Sequence, residues 1–331
     1  SISGSSIANT VTTGALTIPA MIRIGYPRHF AAAVEAAAST GGQITPPVMG
    51  AVAFLMIEYL GLPLTTILTA ALVPAFMHFF GVLVQVHLEA RRLGLRGLSA
   101  AELPNAFKVL KEGWLSVVPL IVLVAILLSG RTPFSAAFWS ITACIGVLVI
   151  QQVRAGGIVD GLRGTFHGVW EGFILGAKQS LSVTAAAALV GVVIGVVTLT
   201  GVGFKIAYMV TGIAQDWAGS IHSLLAFLPF ELMAVPTLTL LFTLILTAIV
   251  CILMGCGIPT TANYIIMVAV AAPILGLLGV QPLVAHFFVF YYGVLADVTP
   301  PVAMAAYAGA GIANANAFKA GNTAFRLSMG K

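Results

Sequence analysis

The sequence predicts an all-α polytopic membrane protein that contains an inverted structural repeat. Apolar residues make up 60% of the chain and charged residues only 8%, and the mean hydropathy is +1.07. A soluble domain has roughly a quarter of its residues charged. In addition, two polar, helix-breaking segments near the start of the chain recur near its end. At membrane depth such breaks persist only where protein or a water-filled cavity satisfies the freed backbone, so they are typical of binding sites.

The two pairs of breaks are related by a constant offset. When the sequence is shifted by 254 positions, Asn9 falls on Asn263, and Thr45-Pro46-Pro47 falls on Thr299-Pro300-Pro301. The match needs no gap and retains both polar motifs. We interpret it as an internal duplication.

Residues 1–60 are predicted to form the first copy, as part of a transport domain. A small polar turn leads into an apolar helix that is expected to stop at Pro19, and residues 21–29 follow as an interfacial loop. Residues 30–60 then form one membrane crossing, a helix over 30–39 that is interrupted over 41–47 and resumes to Leu60.

Residues 61–235 are predicted to form connecting helices. Continuous apolar stretches indicate spans over 64–88, 114–128 and 134–150, and a span rich in small residues over 181–199. Basic residues interleaved with aromatic residues over 151–180 indicate a helix in the membrane interface. Residues 201–235 fit either two partial crossings or a surface excursion.

Residues 236–318 are predicted to form the second copy, followed by a tail over 319–331. The loop inside the first copy carries Arg23 and Arg28, whereas the matching loop over 274–282 has no charge. Cytoplasmic loops are enriched in Lys and Arg, and an odd number of crossings separates the two loops if residues 201–235 make none or two. The two copies are therefore expected to be inverted, each with a re-entrant hairpin and a broken helix.

The hairpin tips and the neighbouring breaks form the predicted binding site. Hydroxyl, amide and carbonyl oxygens are hard ligands that suit Na⁺, and helix N-termini attract an anion. The predicted Na⁺ ligands are Ser5, Asn9 and Thr45 in one copy and Thr260, Asn263 and Thr299 in the other. The remaining predicted site residues are Ser6, Gly42, Gln43, Pro46, Pro47, Gly257, Pro259, Thr261, Asp297, Pro300 and Pro301. No resident metal or other cofactor is predicted.

Asp297 marks the chemical difference between the two copies, because Gln43 occupies its position in the first copy. An acid beside a helix break in a membrane is a functional candidate, either as a ligand of Na⁺ or as a proton carrier. The alternative is that Asp297 caps the half-helix after Pro300.

For the other polar residues, a structural role is as well supported as a functional role, or better supported. Glu35 lies on the first broken helix, where it either faces the hairpin or reaches the membrane interface. His78 and His286 are either relay groups or hydrogen-bonded packing residues. Glu58 and Glu231 lie near predicted span ends, where solvated carboxylates are ordinary.

Four motifs together resemble one transporter family. They read Ser-Gly-Ser-Ser, Gly-Gly-Gln-Ile-Thr-Pro-Pro-Val-Met-Gly, Gly-Cys-Gly-Ile-Pro-Thr-Thr-Ala-Asn-Tyr and Ala-Asp-Val-Thr-Pro-Pro-Val-Ala. These motifs resemble those of the large membrane subunit of tripartite ATP-independent periplasmic (TRAP) transporters. The last three look like the TAXI branch, in which the small and large subunits are fused. The resemblance covers nearly the whole chain.

The resemblance implies an elevator-type fold of the ion-transporter superfamily in a bacterial or archaeal cytoplasmic membrane. It implies uptake of a small organic acid that a periplasmic binding protein delivers, driven by a Na⁺ or H⁺ gradient, with a small membrane subunit as partner. Because the sequence opens in the middle of a motif, we expect it to be part of a longer chain.

Two rival functions remain from the residues alone. An ion channel also uses oxygen-lined helix breaks, and a carboxylate symporter can work without a binding protein. A membrane-embedded enzyme is disfavoured, because no nucleophile-and-base motif occurs. A nucleic-acid partner is not expected, because the basic residues lie in short loops between apolar spans.

Overall fold

The computed structural model describes residues 4–47, 49–97, 105–225 and 233–329, and these ranges contain helices and no strand. Glu231 lies outside the described residues. The α-helices are α1 (Ser6–Ile24), α2 (Arg28–Ile44), α3 (Val52–Leu60), α4 (Leu64–Arg92), α5 (Ala106–Gly113), α6 (Val118–Leu128), α7 (Pro133–Thr200), α8 (Val202–Leu225), α9 (Val235–Gly255), α10 (Thr260–Val270), α11 (Ala272–Leu277), α12 (Pro282–Leu295), α13 (Met304–Ala313) and α14 (Ala317–Ser328).

Several of these helices are long and apolar enough to cross a membrane. In the described residues they are Leu64–Arg92, Pro133–Lys178, Val235–Gly255 and Thr260–Leu277, and shorter apolar helices cover Trp114–Leu128, Pro282–Val298 and Met304–Ala313. The predicted fold class is confirmed, since the chain is an all-α polytopic membrane protein. The inverted sense of the repeat stays a prediction.

The chain divides into two compact units. The first comprises Ser1–Leu62, Ile67–Leu95 and Ala186–Lys331, and the second comprises Pro63–Thr66 and Arg96–Ala185. Both pairs of helix breaks belong to the first unit, so the candidate site is formed within one compact body.

The first hairpin helix does not stop at Pro19, as the sequence predicted. Helix α1 continues through Pro19 to Ile24, because proline removes only one helical N–H and the apolar pattern continues beyond it. The helix ends at Gly25, which has a φ of 116° and closes the C-terminus with a left-handed cap. The interfacial loop is therefore shorter than predicted.

The turn after α1 and the turn after α11 have the same hydrogen bonds, 254 positions apart. In the first, Gly25 N–H donates to Ile22 and Tyr26 N–H donates to Met21. Residues 254 positions later repeat both bonds, from Gly279 to Gly276 and from Val280 to Leu275, and Gly279 also has a positive φ of 76°. The duplicated sequence thus forms duplicated local structure.

The two Thr-Pro-Pro breaks also match in backbone and side chain. The hydroxyl group of Thr45 donates to the carbonyl group four residues earlier at 2.7 Å, and Thr299 does the same at 2.7 Å. Both Pro-Pro peptide bonds are cis. Met49 and Ala303, which are 254 positions apart, both have positive φ, of 43° and 30°. Each break therefore ends one helix and redirects the chain into the next.

Helix α2 lies at the centre of the first unit and packs against α1, α13 and α14. Its contact faces consist largely of alanine, with Ala31, Ala32, Ala33, Ala36 and Ala37 all fully buried. A side chain at Gly309 of α13 would place its Cβ only 3.0 Å from the Ala32 carbonyl oxygen. Small residues let these backbones approach closely, as is usual between helices in membranes.

The connecting region differs from the sequence prediction. A separate interfacial helix over 151–180 and a span over 181–199 are not distinct elements, because α7 continues from a kink at Gly157 to Thr200. Gly157 has a φ of 80°, which a glycine adopts without a steric penalty. In the ambiguous stretch 201–235, α8 occupies Val202–Leu225, and residues 226–232 lie outside the described ranges.

Candidate functional site

Four predicted site residues form a hydrogen-bonded group around the buried carboxylate of Asp297, which we call the Asp297 quartet: Ser6, Gln43, Thr260 and Asp297. The Ser6 hydroxyl donates to Asp297 Oδ2 at 2.6 Å. Gln43 Nε2 lies 3.4 Å and Thr260 Oγ1 lies 3.5 Å from the same oxygen. Asp297 is only 6% exposed, so these donors replace part of the water that an ionised carboxylate would otherwise bind.

Each residue of the quartet comes from a helix end or a helix break. Ser6 is the first residue of α1, and Thr260 is the first residue of α10. Gln43 lies in the last turn of α2, and Asp297 lies in a short 3₁₀ turn just before the second Thr-Pro-Pro break. Local sequence therefore positions the quartet, since caps, prolines and breaks place these side chains where helices begin or end.

The contacts cross between the two sequence copies. Ser6 and Thr260 occupy equivalent positions in the duplication, as do Gln43 and Asp297. Ser6 of the first copy bonds to Asp297 of the second copy, whereas Thr260 of the second copy accepts a bond from Gln43 Nε2 of the first copy at 3.1 Å. Such reciprocal pairing is what a two-fold relation between two copies produces.

Asn263 lies one turn after Thr260 and is almost fully buried. Its amide Nδ2 donates to the Gly293 carbonyl oxygen at 3.1 Å. Its Oδ1 has no hydrogen-bond partner among the described residues, and the residue is only 1% exposed. The amide packs so closely that a Cβ at Gly255 would lie 2.6 Å from Nδ2. A buried amide oxygen without a donor is suited to a cation.

The other predicted tip residues lie at or near the starts of α1 and α10. Ser5 caps α1, with its Oγ accepting from Ala8 N–H at 3.3 Å. Asn9 is 3% exposed. Thr261 is half-buried, and its side chain makes no hydrogen bond within the described ranges. Pro259 is the N-cap of α10, and its carbonyl accepts from Asn263 N–H at 2.9 Å.

The two breaks supply backbone geometry more than side-chain ligands. The hydroxyl protons of Thr45 and Thr299 are directed at their own helices, which leaves their oxygen lone pairs as acceptors. Gly42 accepts from Thr45 N–H at 3.4 Å, and Gly257 adopts a φ of 81°. The pyrrolidine rings of Pro46, Pro47, Pro300 and Pro301 end the preceding helical segments.

Sequence reasoning missed the partners of Glu35. This carboxylate is 7% exposed and accepts hydrogen bonds from Thr13 and Thr17, which lie one turn apart on α1. Two threonines four residues apart on the neighbouring helix were the available signal, since positions i and i+4 share a helix face. The sequence could not show that this face points at Glu35.

The two histidines take packing contacts that link helices. His78 is 1% exposed, and its Nε2 lies 3.0 Å from the Ala37 carbonyl oxygen of α2. His286 Nδ1 lies 2.7 Å from the hydroxyl oxygen of Tyr264. Glu58 is exposed on α3.

Comparison with known proteins identifies the family. The family profile described as "Tripartite ATP-independent periplasmic transporter, DctM component" matches residues 1–327. The chain belongs to the DctM family. This confirms the family recognised from the motifs, while the TAXI subtype stays a prediction.

Two curated DctM-type relatives are similar over most of this chain. The isethionate TRAP transporter permease protein DctMQ of Oleidesulfovibrio alaskensis is 25% identical over 95% of this chain and 44% of its own length. The sialic acid TRAP transporter large permease protein SiaM of Vibrio cholerae is 23% identical over 92% of this chain and 64% of its own length. The chain thus spans about half the length of the curated relatives it matches.

Membership in the DctM family and the apolar helices identify a multi-pass protein of the inner membrane. The relatives are transporter permeases and not enzymes.

Proposed function

We propose that the chain is the permease component of a secondary transporter that imports a small organic acid by elevator-type alternating access. The observation that carries this proposal is the Asp297 quartet, in which both hairpin tips meet one buried carboxylate between two helix breaks. In secondary transporters, binding sites typically lie at such discontinuous helices near the bilayer midplane. Residues 1–60 and 236–318 together would form the moving transport domain.

The two helix N-termini at the quartet support an anionic substrate. The positive ends of the α1 and α10 helix dipoles both lie at the quartet, because Ser6 and Thr260 are the first residues of those helices. Backbone N–H groups at helix N-termini are well suited to bind a carboxylate. Sialic acid carries a carboxylate and isethionate a sulfonate, so the substrates named for both relatives are organic anions. A related small organic acid is the proposed cargo.

A periplasmic substrate-binding protein and a small membrane subunit are the proposed partners. The curated relatives are named as TRAP transporter permeases, and the name of one combines two components, DctMQ. A binding protein would deliver the acid to the periplasmic opening of the permease. The small subunit would complete the membrane assembly around this chain.

An ion gradient is proposed to drive uptake, with Na⁺ favoured at the second hairpin tip. The unpartnered Oδ1 of Asn263 supports this choice, because a cation would satisfy a buried oxygen that has no donor. Oxygen ligands near Thr260 and the carbonyls freed at Thr299 would complete such a site. The equivalent first-copy ligands would be Ser5, Asn9 and Thr45.

The proposal can be tested by reconstituting the permease with its small subunit and binding protein in proteoliposomes. Uptake of the binding protein's ligand is measured under an imposed Na⁺ gradient and, separately, under an imposed pH gradient. We expect gradient-driven accumulation and counterflow exchange of the labelled ligand. Single-channel current without counterflow would instead support the ion-channel alternative, and uptake without the binding protein would support an independent symporter.

A further inference from the structure

Glu35 is a buried carboxylate that the Asp297 quartet does not use. It lies in the middle of α2 and is 7% exposed. Thr13 Oγ1 donates to its Oε1, and Thr17 Oγ1 donates to its Oε2. Ser39 Oγ lies 3.5 Å from Oε1. Three hydroxyl groups, and no cation, therefore surround this acid among the described residues.

The charged and titratable groups on neighbouring helices do not pair with Glu35. In the described ranges, no ion pair or hydrogen bond joins its carboxylate to any of them. On α2 itself and the elements that contact it, these groups are Arg23, Arg28, His29, His286, Tyr291, Tyr292, Asp297, Tyr307, Lys319 and Arg326, together with His78, His87, Glu89, Arg91 and Arg92 on α4. A buried ionised carboxylate is costly without a cationic partner, which makes an acid in this position a candidate for function.

The two threonines can satisfy Glu35 in either protonation state. Thr13 Oγ1 lies 2.7 Å from the Asn9 carbonyl oxygen as well as next to the carboxylate. Thr17 Oγ1 lies 3.1 Å from the Thr13 carbonyl oxygen and likewise next to the carboxylate. A hydroxyl group has one proton and two lone pairs. With Glu35 ionised, each threonine donates to it; with Glu35 neutral, one threonine donates to its own helix and accepts the acid proton.

We propose that Glu35 is a proton-binding site of the permease, held between α1 and α2 by Thr13 and Thr17. A proton from water adds to one carboxylate oxygen and later leaves to water, and no other bond changes. The site would be coupled to the quartet through the helices themselves. Glu35 precedes Gln43 by eight residues on α2, and Thr13 follows Ser6 by seven on α1, so each pair lies about two helical turns apart.

Transport gives a physical reason for the proton to bind. This inference rests on the proposed transport function, in which α1 and α2 move with the substrate. Moving one elementary charge across the membrane potential costs about 2.3 kcal/mol per 100 mV. Glu35 that moves with the substrate in its neutral form avoids that cost. On the return step Glu35 is ionised, so it does not carry the proton back. The proton would then contribute to the driving force.

The decisive variant is Glu35→Gln, which keeps the shape of the side chain and cannot titrate. Glu58→Gln, on an exposed acid of α3, is the matched control. In proteoliposomes containing the permease, its small subunit and its binding protein, we expect Glu35→Gln to lose uptake driven by a pH gradient. Counterflow exchange should persist, because exchange requires no net proton movement. Glu58→Gln should retain both activities.

A second variant extends the uptake test, and an infrared measurement makes the test independent of transport. Thr13→Val with Thr17→Val removes both hydroxyl donors to Glu35, so uptake driven by a pH gradient should fall while counterflow exchange persists. Infrared spectra of the purified wild type should show a carboxylic-acid carbonyl band that titrates with pH and is absent from Glu35→Gln. An unchanged pH profile in Glu35→Gln, or the same infrared band in it, would overturn the proton site. Failure of wild-type uptake under every gradient would instead overturn the proposed function, and the infrared comparison would still decide whether Glu35 binds a proton.

Discussion

Replacing Ser6 by Ala isolates the shortest contact of the Asp297 quartet. The Ser6 hydroxyl lies 2.6 Å from Asp297 Oδ2, whereas the Gln43 and Thr260 contacts to that oxygen are 3.4 Å and 3.5 Å long. Short hydrogen bonds to an ionised acceptor are stronger than neutral ones. We therefore expect Ser6→Ala to be the most costly single change to the hydroxyl donors of the quartet.

The expected magnitude follows from the charge of the acceptor and its burial. A hydrogen bond to a charged group contributes about 1.5–3 kcal/mol, and one between neutral groups about 0.5–1.5 kcal/mol. Because Asp297 is only 6% exposed, water does not readily replace the lost donor. Ser6→Ala should thus lower the free energy of unfolding by about 1.5–3 kcal/mol, and Thr260→Val by about 0.5–1.5 kcal/mol.

The assay is reversible unfolding of the purified permease in mixed micelles, with Thr261→Val as the control. Thr261 adjoins Thr260, but its side chain makes no hydrogen bond in the described part of the chain. A double-mutant cycle combines Ser6→Ala with Asp297→Asn. In the Asp297→Asn background, Ser6→Ala should lower the free energy of unfolding by only about 1 kcal/mol, as for a neutral pair. Equal stability of Ser6→Ala and Thr261→Val, or full additivity with Asp297→Asn, would refute the assigned contact.

Three further predictions concern the hairpin tips, a tight helix contact and His29 in the first turn of α2. Asn9→Ala and Asn263→Ala should each abolish gradient-driven uptake in proteoliposomes while the protein still elutes as a folded species, because each removes a tip amide. Gly41→Ala should destabilise the protein by about 1–3 kcal/mol in the unfolding assay, since the new methyl group would overlap the ring of His78. Burial lowers the pKa of His29 below its usual 6.5, so the folded state binds the proton less readily than the unfolded state. The stability of the folded state should therefore fall as the pH drops below 6.5. The thermal unfolding midpoint of His29→Gln should fall less over the same pH range.

Each of these predictions has a control or a contrary outcome. Gly311→Ala, on the exposed side of α13 with no atom near its Cβ position, should be neutral or slightly stabilising. Near-normal uptake by either asparagine variant would contradict the tip assignment. A Gly41→Ala protein as stable as Gly311→Ala would contradict the packing argument. Lys319 also lowers the pKa of His29 and Glu89 opposes it, so Lys319→Gln should reduce the acid sensitivity in the same direction as His29→Gln.

The fold class could be predicted because it depends on local sequence, and so could several of the residues that lie together at the helix breaks, whose role as a binding site stays a prediction. An apolar chain must satisfy its backbone within helices, and the polar motifs at a constant offset of 254 identify the breaks. Ser6, Gln43, Thr260 and Asp297 were all predicted as site residues, and the structure brings them together.

The pairing inside the quartet could not be predicted. Motif spacing shows that Gln43 and Asp297 are equivalent, but not that each hairpin tip contacts the break of the other copy. That choice depends on how α1, α2, α10 and the 3₁₀ turn before Thr299 pack, which involves contacts between residues almost three hundred positions apart. Long-range packing of this kind leaves no local signal.

Helix ends were less predictable than helix positions. The sequence predicts that α1 ends at Pro19, although the left-handed cap at Gly25 is the feature that ends this helix. Proline disturbs one turn, whereas a glycine cap satisfies several terminal carbonyl groups at once. In the same way, the kink at Gly157 could not be distinguished from other glycines in a region rich in them.

The contact between Ala32 and Gly309 has a consequence for how sequences of this type can vary. Because the Ala32 carbonyl would lie 3.0 Å from a Cβ at position 309, even a methyl group there would push α13 away from α2. Such a shift would separate the two Pro-Pro corners that these helices carry. Under the proposed transport function, changes that broaden the range of accepted substrates should therefore accumulate at the polar tips, because the close contact between α2 and α13 tolerates little enlargement.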